Sequence, residues 1–266
     1  MTPLCRAAST PDAVSFFPRG LVQAEGRARF SIDALLLAAF AAHRTGEAQL
    51  RAADLGAGCG VAGLGYLLRN PCASLTAIEL DPGQAEAARK NALRLGLAER
   101  FQAQSLDLAD ISESDCPPQS LDLVLANPPY FRQGRGRAPA QAQRVPARMD
   151  AAGSLAIFLD AAAWLLKNRG RACLVFTAAR LPELLAGLRE RRLEPKHLLP
   201  LRSRGDEAAK LVLVEARRNA GEEFELAPDL VLYEGRGDRT QLRAEALEFC
   251  PFLACNAGPR AEDEPV

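Results

Sequence analysis

A glycine-rich turn between an apolar stretch and a helical one is the first feature that could support chemistry. Residues 54–60 read DLGAGCG, which has GxGxG spacing and not the GxGxxG of dinucleotide sites. Glycines let a backbone turn sharply and approach a ligand closely, and no lysine follows that would hold a pyrophosphate as in a P-loop. The residues of this turn that we predict to bind a ligand are Asp54, Gly56, Gly58 and Gly60.

Two carboxylates follow the turn, each at the end of a predicted strand. Glu79 lies 19 residues beyond the last glycine, and a strand-tip carboxylate there can accept hydrogen bonds from both ribose hydroxyls. Asp107 ends the next strand and could accept from an adenine amino group, although Asp110 is close enough to take that role instead. Asp81 is better explained as a helix cap, because Pro82 follows it. A ligand with ribose and adenine but no phosphate fits best, and S-adenosylmethionine is such a ligand.

The four residues Asn127, Pro128, Pro129 and Tyr130 follow the apolar stretch 120–126, which we predict to be a buried strand. Two consecutive prolines force a chain out of a sheet and fix its path. The Asn127 side chain is therefore expected at the strand tip, facing the pocket predicted for the methyl donor.

In this order, the glycine turn, the two carboxylates and the NPPY sequence resemble a class I S-adenosylmethionine-dependent methyltransferase. The NPPY form is similar to that of amino-methyltransferases, which modify planar nitrogens of adenine, cytosine, guanine or glutamine. The resemblance implies that S-adenosylmethionine is the cofactor and that Asn127 also contacts it. It further implies that the catalytic residues are Asn127, Pro128, Pro129 and Tyr130.

The residue types of the NPPY sequence suit a weakly nucleophilic acceptor nitrogen. A conjugated amino nitrogen reacts poorly because its lone pair is delocalised. The Asn127 side-chain oxygen and the Pro128 carbonyl can each accept one N–H bond, which favours a pyramidal nitrogen aimed at the sulfonium methyl. Tyr130 offers a face on which a base can stack, worth about 1–3 kcal/mol. Catalysis would then depend on orientation and electrostatics, without a strong general base.

A closer resemblance covers roughly residues 15 to 250. The segments 25–40, 202–216 and 228–233 are similar to those of the bacterial tRNA adenine-N6 methyltransferase family, which methylates adenine 37 of a valine tRNA. This resemblance implies a tRNA substrate and places Asp33 over the cofactor pocket. An acidic residue at that position would also complement a helix dipole.

The elements that must position these residues alternate between strand and helix, which predicts an α/β fold. The predicted strands are 49–55, 74–80, 101–106, 120–126, 171–177, 197–201 and 210–216, the helices are 31–42, 61–68, 83–95, 155–166 and 181–192, and 222–234 is a hairpin or arm. The resemblance implies a Rossmann-like, mostly parallel, seven-stranded sheet with helices on both faces. We expect a loose N-terminus over 1–15, one methyltransferase domain over 16–250 and a flexible tail over 251–266.

Charge and cysteine usage limit the partners. The chain has 33 basic and 33 acidic residues, so its net charge is zero, which argues against nonspecific nucleic-acid binding driven by overall positive charge. Residues 131–149 nevertheless contain five arginines and no acid, so we predict a mobile loop that faces an anionic partner. Seven cysteines without a CxxC pair and two histidines predict neither a metal site nor disulfides. No secretory signal or membrane-length apolar run is visible, so we expect a cytoplasmic protein with no membrane contact. The sequence gives no indication of an obligate protein partner.

Three alternatives share the same motifs. A glutamine-N5 methyltransferase acting on a release factor would use the same NPPY, but such enzymes usually carry a longer helical domain before the cofactor loop. A guanine-N2 RNA methyltransferase usually has a second, degenerate domain. A catalytically inactive RNA-binding homologue would have no need of intact residues 127–130.

Overall fold

The computed structural model describes residues 17–24, 31–129 and 151–256. The helices of this part are α1 (Ile32–Thr45), α2 (Val61–Arg69), α3 (Pro82–Arg94), α4 (Ala151–Leu165), α5 (Leu181–Glu190) and α6 (Ala244–Phe249). The longer strands are β1 (Arg51–Leu55), β2 (Ser74–Glu79), β3 (Phe101–Ser105), β4 (Leu121–Ala126), β5 (Leu166–Thr177), β6 (Leu193–Arg202) and β7 (Leu211–Arg218). Four two-residue strands follow, namely β8 (Glu225–Leu226), β9 (Leu230–Val231), β10 (Tyr233–Glu234) and β11 (Gln241–Leu242).

The main sheet has the strand order β3-β2-β1-β4-β5-β7-β6-β8, with β9 also beside β6. Neighbours are parallel from β3 to β5, and β7 lies antiparallel between β5 and β6. The prediction of a mostly parallel, Rossmann-like α/β sheet is confirmed. The number seven was too small, because the described sheet has nine strands. The extra two, β8 and β9, pair with β6, whose edge would otherwise present unpaired backbone groups.

The arm predicted over 222–234 is not a hairpin of its own. Its first two short strands pair with β6, and its third pairs with β11 further along the chain. Alternation of apolar residues in this segment shows that it is extended, but it does not show which strand it pairs with, because that depends on residues outside the segment.

The segment predicted as a flexible tail begins with an ordered turn. Pro251–Asn256 forms a 3-10 helix in which Phe252 is 5% exposed and Leu253 is fully buried. The Phe252 ring packs edge-on against Phe17, with 4.8 Å between centroids. These apolar side chains hold the segment against the core, so the expected tail is wrong for residues 251–256. The predicted loose N-terminus, 1–15, lies outside the described residues.

Helices cover both faces of the sheet, as predicted. On one face α1, α2 and α3 pack on the sheet through a largely alanine and leucine core, and on the other α4 and α5 do so. Strands buried on both faces read as nearly continuous apolar runs, which is why β4 was readily predicted. Because helices cover both faces of the sheet, a ligand can reach the sheet at the ends of its strands.

The strand register sets the candidate site residues side by side. Ala126 of β4 pairs with Leu55 of β1, and Leu55 pairs in turn with Ile78 of β2. The next residue of each strand therefore lies in one row at the carboxyl edge of the sheet, where α/β proteins bind ligands. That row contains Asn127, Gly56 and Glu79.

Candidate active site

The glycine turn is held in a conformation that other residues rarely adopt. Gly56, Gly58 and Gly60 have φ angles of +65°, +56° and +89°. The amides of Gly56 and Ala57 donate to the carbonyl of Ile78, at 2.8 and 3.2 Å, which anchors the turn to the end of β2. Gly60 then caps α2, so the backbone N–H groups of the turn lie beside a helix N-terminus.

The three glycines differ in the space around them. A Cβ at Gly56 would lie 2.8 Å from Cζ of Phe158 in α4, and one at Gly60 would lie 3.1–3.3 Å from three side chains. A Cβ at Gly58 would meet nothing within 4 Å. Gly58 therefore borders open space that a ligand can fill, whereas side chains of the protein pack against Gly56 and Gly60.

We expect Gly56→Ala to destabilise the fold more than Gly58→Ala. Both variants place an alanine at positive φ, which costs about 1–2 kcal/mol. Only Gly56→Ala also forces a methyl group against Phe158, for which overpacking adds about 1–3 kcal/mol. Denaturant unfolding of the two variants measures the difference, and equal losses of stability would contradict the packing described for Phe158.

Glu79 is fixed by two backbone amides. Its Oε2 accepts a hydrogen bond from Gly58 N at 2.8 Å, and its Oε1 accepts one from Asp81 N at 2.9 Å. The side chain is only partly buried. Asp81 caps α3 through Gln84 N and precedes Pro82, as the sequence predicted. A carboxylate oxygen can accept more than one hydrogen bond, so these contacts are compatible with a ligand donor at the rim of the turn.

Asp54 is buried beneath the turn and is 2% exposed. Its Oδ2 accepts a 2.8 Å hydrogen bond from Gly63 N in the first turn of α2. Burial raises the pKa of Asp54 from 3.8 to about 7, the Gly63 hydrogen bond opposes this rise, and the charge of Glu79 adds to it. Asp54 supports the turn from below, and a cation bound above it would favour its ionised form.

The raised pKa of Asp54 has a consequence for stability. The folded protein holds a proton on the Asp54 carboxyl that the unfolded chain releases near pH 3.8. The contribution of this carboxyl to the free energy of unfolding is therefore complete below that pH. The contribution is lost as the pH rises through about 7. We expect the free energy of unfolding of Asp54→Asn, relative to that of the unmodified protein, to increase by up to about 4 kcal/mol as the pH rises from 4 to 8. Urea unfolding at several pH values measures this, and a pH-independent difference would contradict it.

Asp107 has a structural role at its position. Its Oδ1 accepts a 2.9 Å hydrogen bond from Ala109 N, which caps the 3-10 helix Leu108–Glu113. The side chain is exposed, as is that of Asp110 within that helix. Asp107 lies two residues after β3, next to the end of β2, so it stays at the predicted edge. Its contact with an adenine group remains a prediction.

Asn127 and the first proline lie where the sequence placed them. Asn127 is half-buried directly after β4, Pro128 is buried and Pro129 is exposed. Register puts Asn127 next to Gly56, one strand away from Glu79. Tyr130 and the arginine-rich segment 131–149 lie outside the described residues, so their predicted roles rest on the sequence.

Asp33 lies in the first turn of α1 and is half-buried. The other end of α1 contacts the middle of β5, because Arg171 donates to the carbonyl of Arg44. This end also lies beside the second half of α2, away from the glycine turn, because Thr45 Oγ1 is 3.2 Å from Tyr66 Oη. Arg44 also forms a 2.5 Å ion pair with the fully buried Glu215 of β7. The first turn of α1 therefore points towards the opposite edge, where the parallel strands end. This placement is compatible with Asp33 lying near the glycine turn.

Sequence reasoning missed two residues that shape this site. Phe158 of α4 packs directly under Gly56, and Gly63 both donates to Asp54 and leaves no room for a Cβ, which would lie 2.8 Å from Leu75. A glycine inside the predicted helix 61–68 is a signal that could have been used, since glycine is unfavourable there without a packing reason. No pattern in the sequence indicated Phe158.

Comparisons with known proteins agree with this geometry. The sequence profile of the methyltransferase small domain family matches residues 31–181. A tRNA1(Val) (adenine(37)-N6)-methyltransferase of Porphyromonas gingivalis is 32% identical over 208 residues, which is 77% of this chain and 81% of that protein. One from Shewanella baltica is 30% identical over 207 residues, 75% of this chain and 85% of that protein. A ribosomal RNA large subunit methyltransferase G of Pseudomonas paraeruginosa is 45% identical over 84 residues, 32% of this chain and 21% of that protein.

Solved structures with the same architecture are also methyltransferases. A predicted O-methyltransferase from Agrobacterium tumefaciens matches with a TM-score of 0.67 and 21% identity over 83% of this chain and 96% of that one. A ribosomal protein L11 methylase from Lactobacillus delbrueckii matches with a TM-score of 0.54 and 18% identity over 74% and 83%. The fold is that of a class I methyltransferase.

With most of its length matched, the chain belongs to the methyltransferase small domain family, and its relatives above are RNA methyltransferases. Within the described residues, no helix is long and apolar enough to cross a membrane. The same residues contain no group of three or more His, Cys, Asp or Glu side chains that could hold a metal ion.

Proposed function

We propose that this protein transfers a methyl group from S-adenosylmethionine to the exocyclic N6 amino group of an adenine in tRNA, namely adenine 37 of a valine tRNA. The observation that carries the proposal is the row formed by Asn127, Gly56 and Glu79 at the carboxyl edge of the sheet. The choice of substrate is supported by the name of the Porphyromonas gingivalis relative and by the large share of both chains that the match covers.

The residues of the glycine turn fit the cofactor. Gly58 borders open space, and the Glu79 carboxylate beside it is oriented by two backbone amides and can accept from ribose hydroxyls. Asp107 is proposed to accept from the adenine amino group, and Asp33 to lie over the cofactor pocket. The acidic surroundings of Asp54 and Glu79 favour a cationic ligand. When bound, S-adenosylmethionine supplies the activated methyl group.

Asn127 and Pro128 are proposed to activate the acceptor nitrogen. The Asn127 side-chain oxygen and the Pro128 carbonyl each accept one N–H of the adenine amino group, which localises the nitrogen lone pair. Pro128 is buried and precedes a second proline, which restricts its backbone conformation. We propose that its carbonyl is thereby oriented before the substrate binds. Tyr130 is proposed to stack on the base, which must leave its own stack to reach the site.

The arginine-rich segment 131–149 directly follows these residues and is proposed to contact the RNA backbone. Phosphate contacts of this kind make RNA binding strongly dependent on salt concentration. We also propose that the protein acts in the cytoplasm, where tRNA is modified.

The proposal is tested by incubating the protein with labelled S-adenosylmethionine and one of three acceptors. These are valine tRNA, the same tRNA with guanine at position 37, and a release factor. We expect N6-methyladenine in the first reaction and no transfer in the other two. Methylation of a glutamine in the release factor would replace the proposal.

A ribosomal acceptor is the second candidate, because the relative from Pseudomonas paraeruginosa is 45% identical over 84 residues. That match covers 21% of the relative, so most of the rRNA enzyme lies outside the matched region. Adding 23S rRNA as a fourth acceptor separates the two. Label in rRNA that exceeds the label in valine tRNA would favour the second candidate.

A further inference from the structure

Asn91 is a fully buried amide near the C-terminal end of α3, at a buried position where an apolar side chain would be expected. Asparagine is a poor residue for a helix interior, and burial of its amide requires hydrogen-bond partners. Its partners lie outside its own helix, in two segments that are far away in the sequence. Asn91 therefore has a tertiary role that the helix itself does not explain.

The Asn91 amide bridges the glycine turn and the N-terminal segment 21–24. Its Nδ2 donates to the Cys59 carbonyl at 3.0 Å and to the Val22 carbonyl at 2.9 Å. Its Oδ1 accepts from Val22 N at 2.7 Å. Both amide hydrogens are thus used, and the side chain pairs with Val22 as a neighbouring strand would.

Other contacts hold the same two segments against α3. A Cβ at Gly60 would lie 3.2 Å from Cβ of Ala88, one helical turn before Asn91, so the turn approaches α3 closely. Ala24 N donates to Oε1 of Gln84 at 3.4 Å, at the start of the same helix. Segment 21–24 precedes α1 in the chain, and α1 carries Asp33 in its first turn.

We propose that Asn91 is a positioning residue that couples the cofactor turn to the N-terminal segment. The Cys59 carbonyl belongs to the turn that binds the methyl donor, and the paired Val22 belongs to the segment that leads to Asp33. Ligand binding at the turn and ordering of residues 21–24 then favour each other, because both depend on one amide. The inference rests on the proposed use of S-adenosylmethionine at this turn.

Asn70 provides a matched control for a test. It is also fully buried, and it also makes three hydrogen bonds, to Ala48 O at 3.1 Å, to Tyr66 Oη at 3.0 Å and from Cys72 N at 3.0 Å. These bonds lie at the end of α2, away from the glycine turn. A purely structural effect of losing a buried asparagine should be similar in both variants.

We expect Asn91→Ala to raise the Kd for S-adenosylmethionine about tenfold and Asn70→Ala to leave it within about twofold. Isothermal calorimetry measures both, at a temperature at which circular dichroism shows both variants folded. Steady-state assays should show the same increase in the cofactor KM with a smaller change in kcat. Equal Kd values for Asn91→Ala and the unmodified protein, or equal increases in the two variants, would overturn the proposal.

Hydrogen exchange of the unmodified protein provides a measurement that needs no variant to fold. We expect S-adenosylhomocysteine to slow exchange at the Val22 amide, which donates to Asn91, and not at the Cys72 amide, which donates to Asn70. Unchanged exchange at Val22 in the presence of bound ligand would show that the two segments are uncoupled. If the unmodified protein binds neither S-adenosylmethionine nor S-adenosylhomocysteine, the proposed function fails and this inference fails with it.

Discussion

Asn127→Ala should reduce methyl transfer by at least about 100- to 1000-fold in kcat, as expected when an oriented hydrogen-bonding group acting in the transition state is removed. The alanine leaves one N–H of the acceptor amino group without its partner, so the nitrogen lone pair stays delocalised. The affinity for S-adenosylmethionine should change by no more than a few-fold, because the glycine turn and Glu79 remain intact. Single-turnover assays with valine tRNA measure the first effect, and calorimetry measures the second.

Asn127→Asp serves as the chemical control for that experiment. The aspartate keeps an oxygen acceptor at the same position, so we expect it to retain more activity than the alanine variant. A kcat near that of the unmodified protein in Asn127→Ala would contradict the assigned role. A large loss of cofactor binding would instead show that the side chain mainly holds the cofactor.

Glu79→Gln should weaken cofactor binding by about 10- to 100-fold. Both carboxylate oxygens of Glu79 accept a backbone N–H, one from Gly58 and one from Asp81. A glutamine must therefore turn its NH2 group towards one of these donors, which displaces the turn and removes one acceptor for the ribose hydroxyls. Calorimetry with S-adenosylmethionine measures the change, and kcat at saturating cofactor should fall much less.

Glu86→Gln is the matched control for loss of one negative charge nearby. Glu86 lies on the exposed face of α3 and pairs only with Arg89 and Lys90 among the described residues, at 3.2 and 3.9 Å. Exposed pairs of this kind contribute little, so cofactor affinity should stay within about twofold. Similar losses in both variants would mean that overall charge, and not the geometry of Glu79, determines affinity.

The parts of the site closest to the strands were predictable from the sequence. β1, β2 and β4 are short apolar runs that end in glycines, an acid and a double proline, and parallel strands bring such endings to one edge. The apolar runs themselves leave the register open, because these strands are buried on both faces; it is the glycine, acidic and proline endings that mark where each strand stops. Each of these residues was expected at the end of its strand, and the register places Asn127, Gly56 and Glu79 in one row.

The residues that support the site were not predictable in the same way. Asn91 in an alanine-rich helix and Phe158 in a helix without a marked polar face look ordinary in the sequence. Their roles depend on how α3 and α4 pack over the glycine turn, and that packing involves residues distant in the chain. Pairing of β8 and β9 with β6 was missed for the same reason.

A crystal structure of the protein with S-adenosylhomocysteine tests the account most directly. We expect the ribose hydroxyls to lie within hydrogen-bond distance of the Glu79 carboxylate, beside Gly58. The sulfur should face the Asn127 side-chain oxygen across a space that admits one planar base. A ligand bound away from the glycine turn, or an Asn127 side chain directed away from the sulfur, would contradict the proposed chemistry.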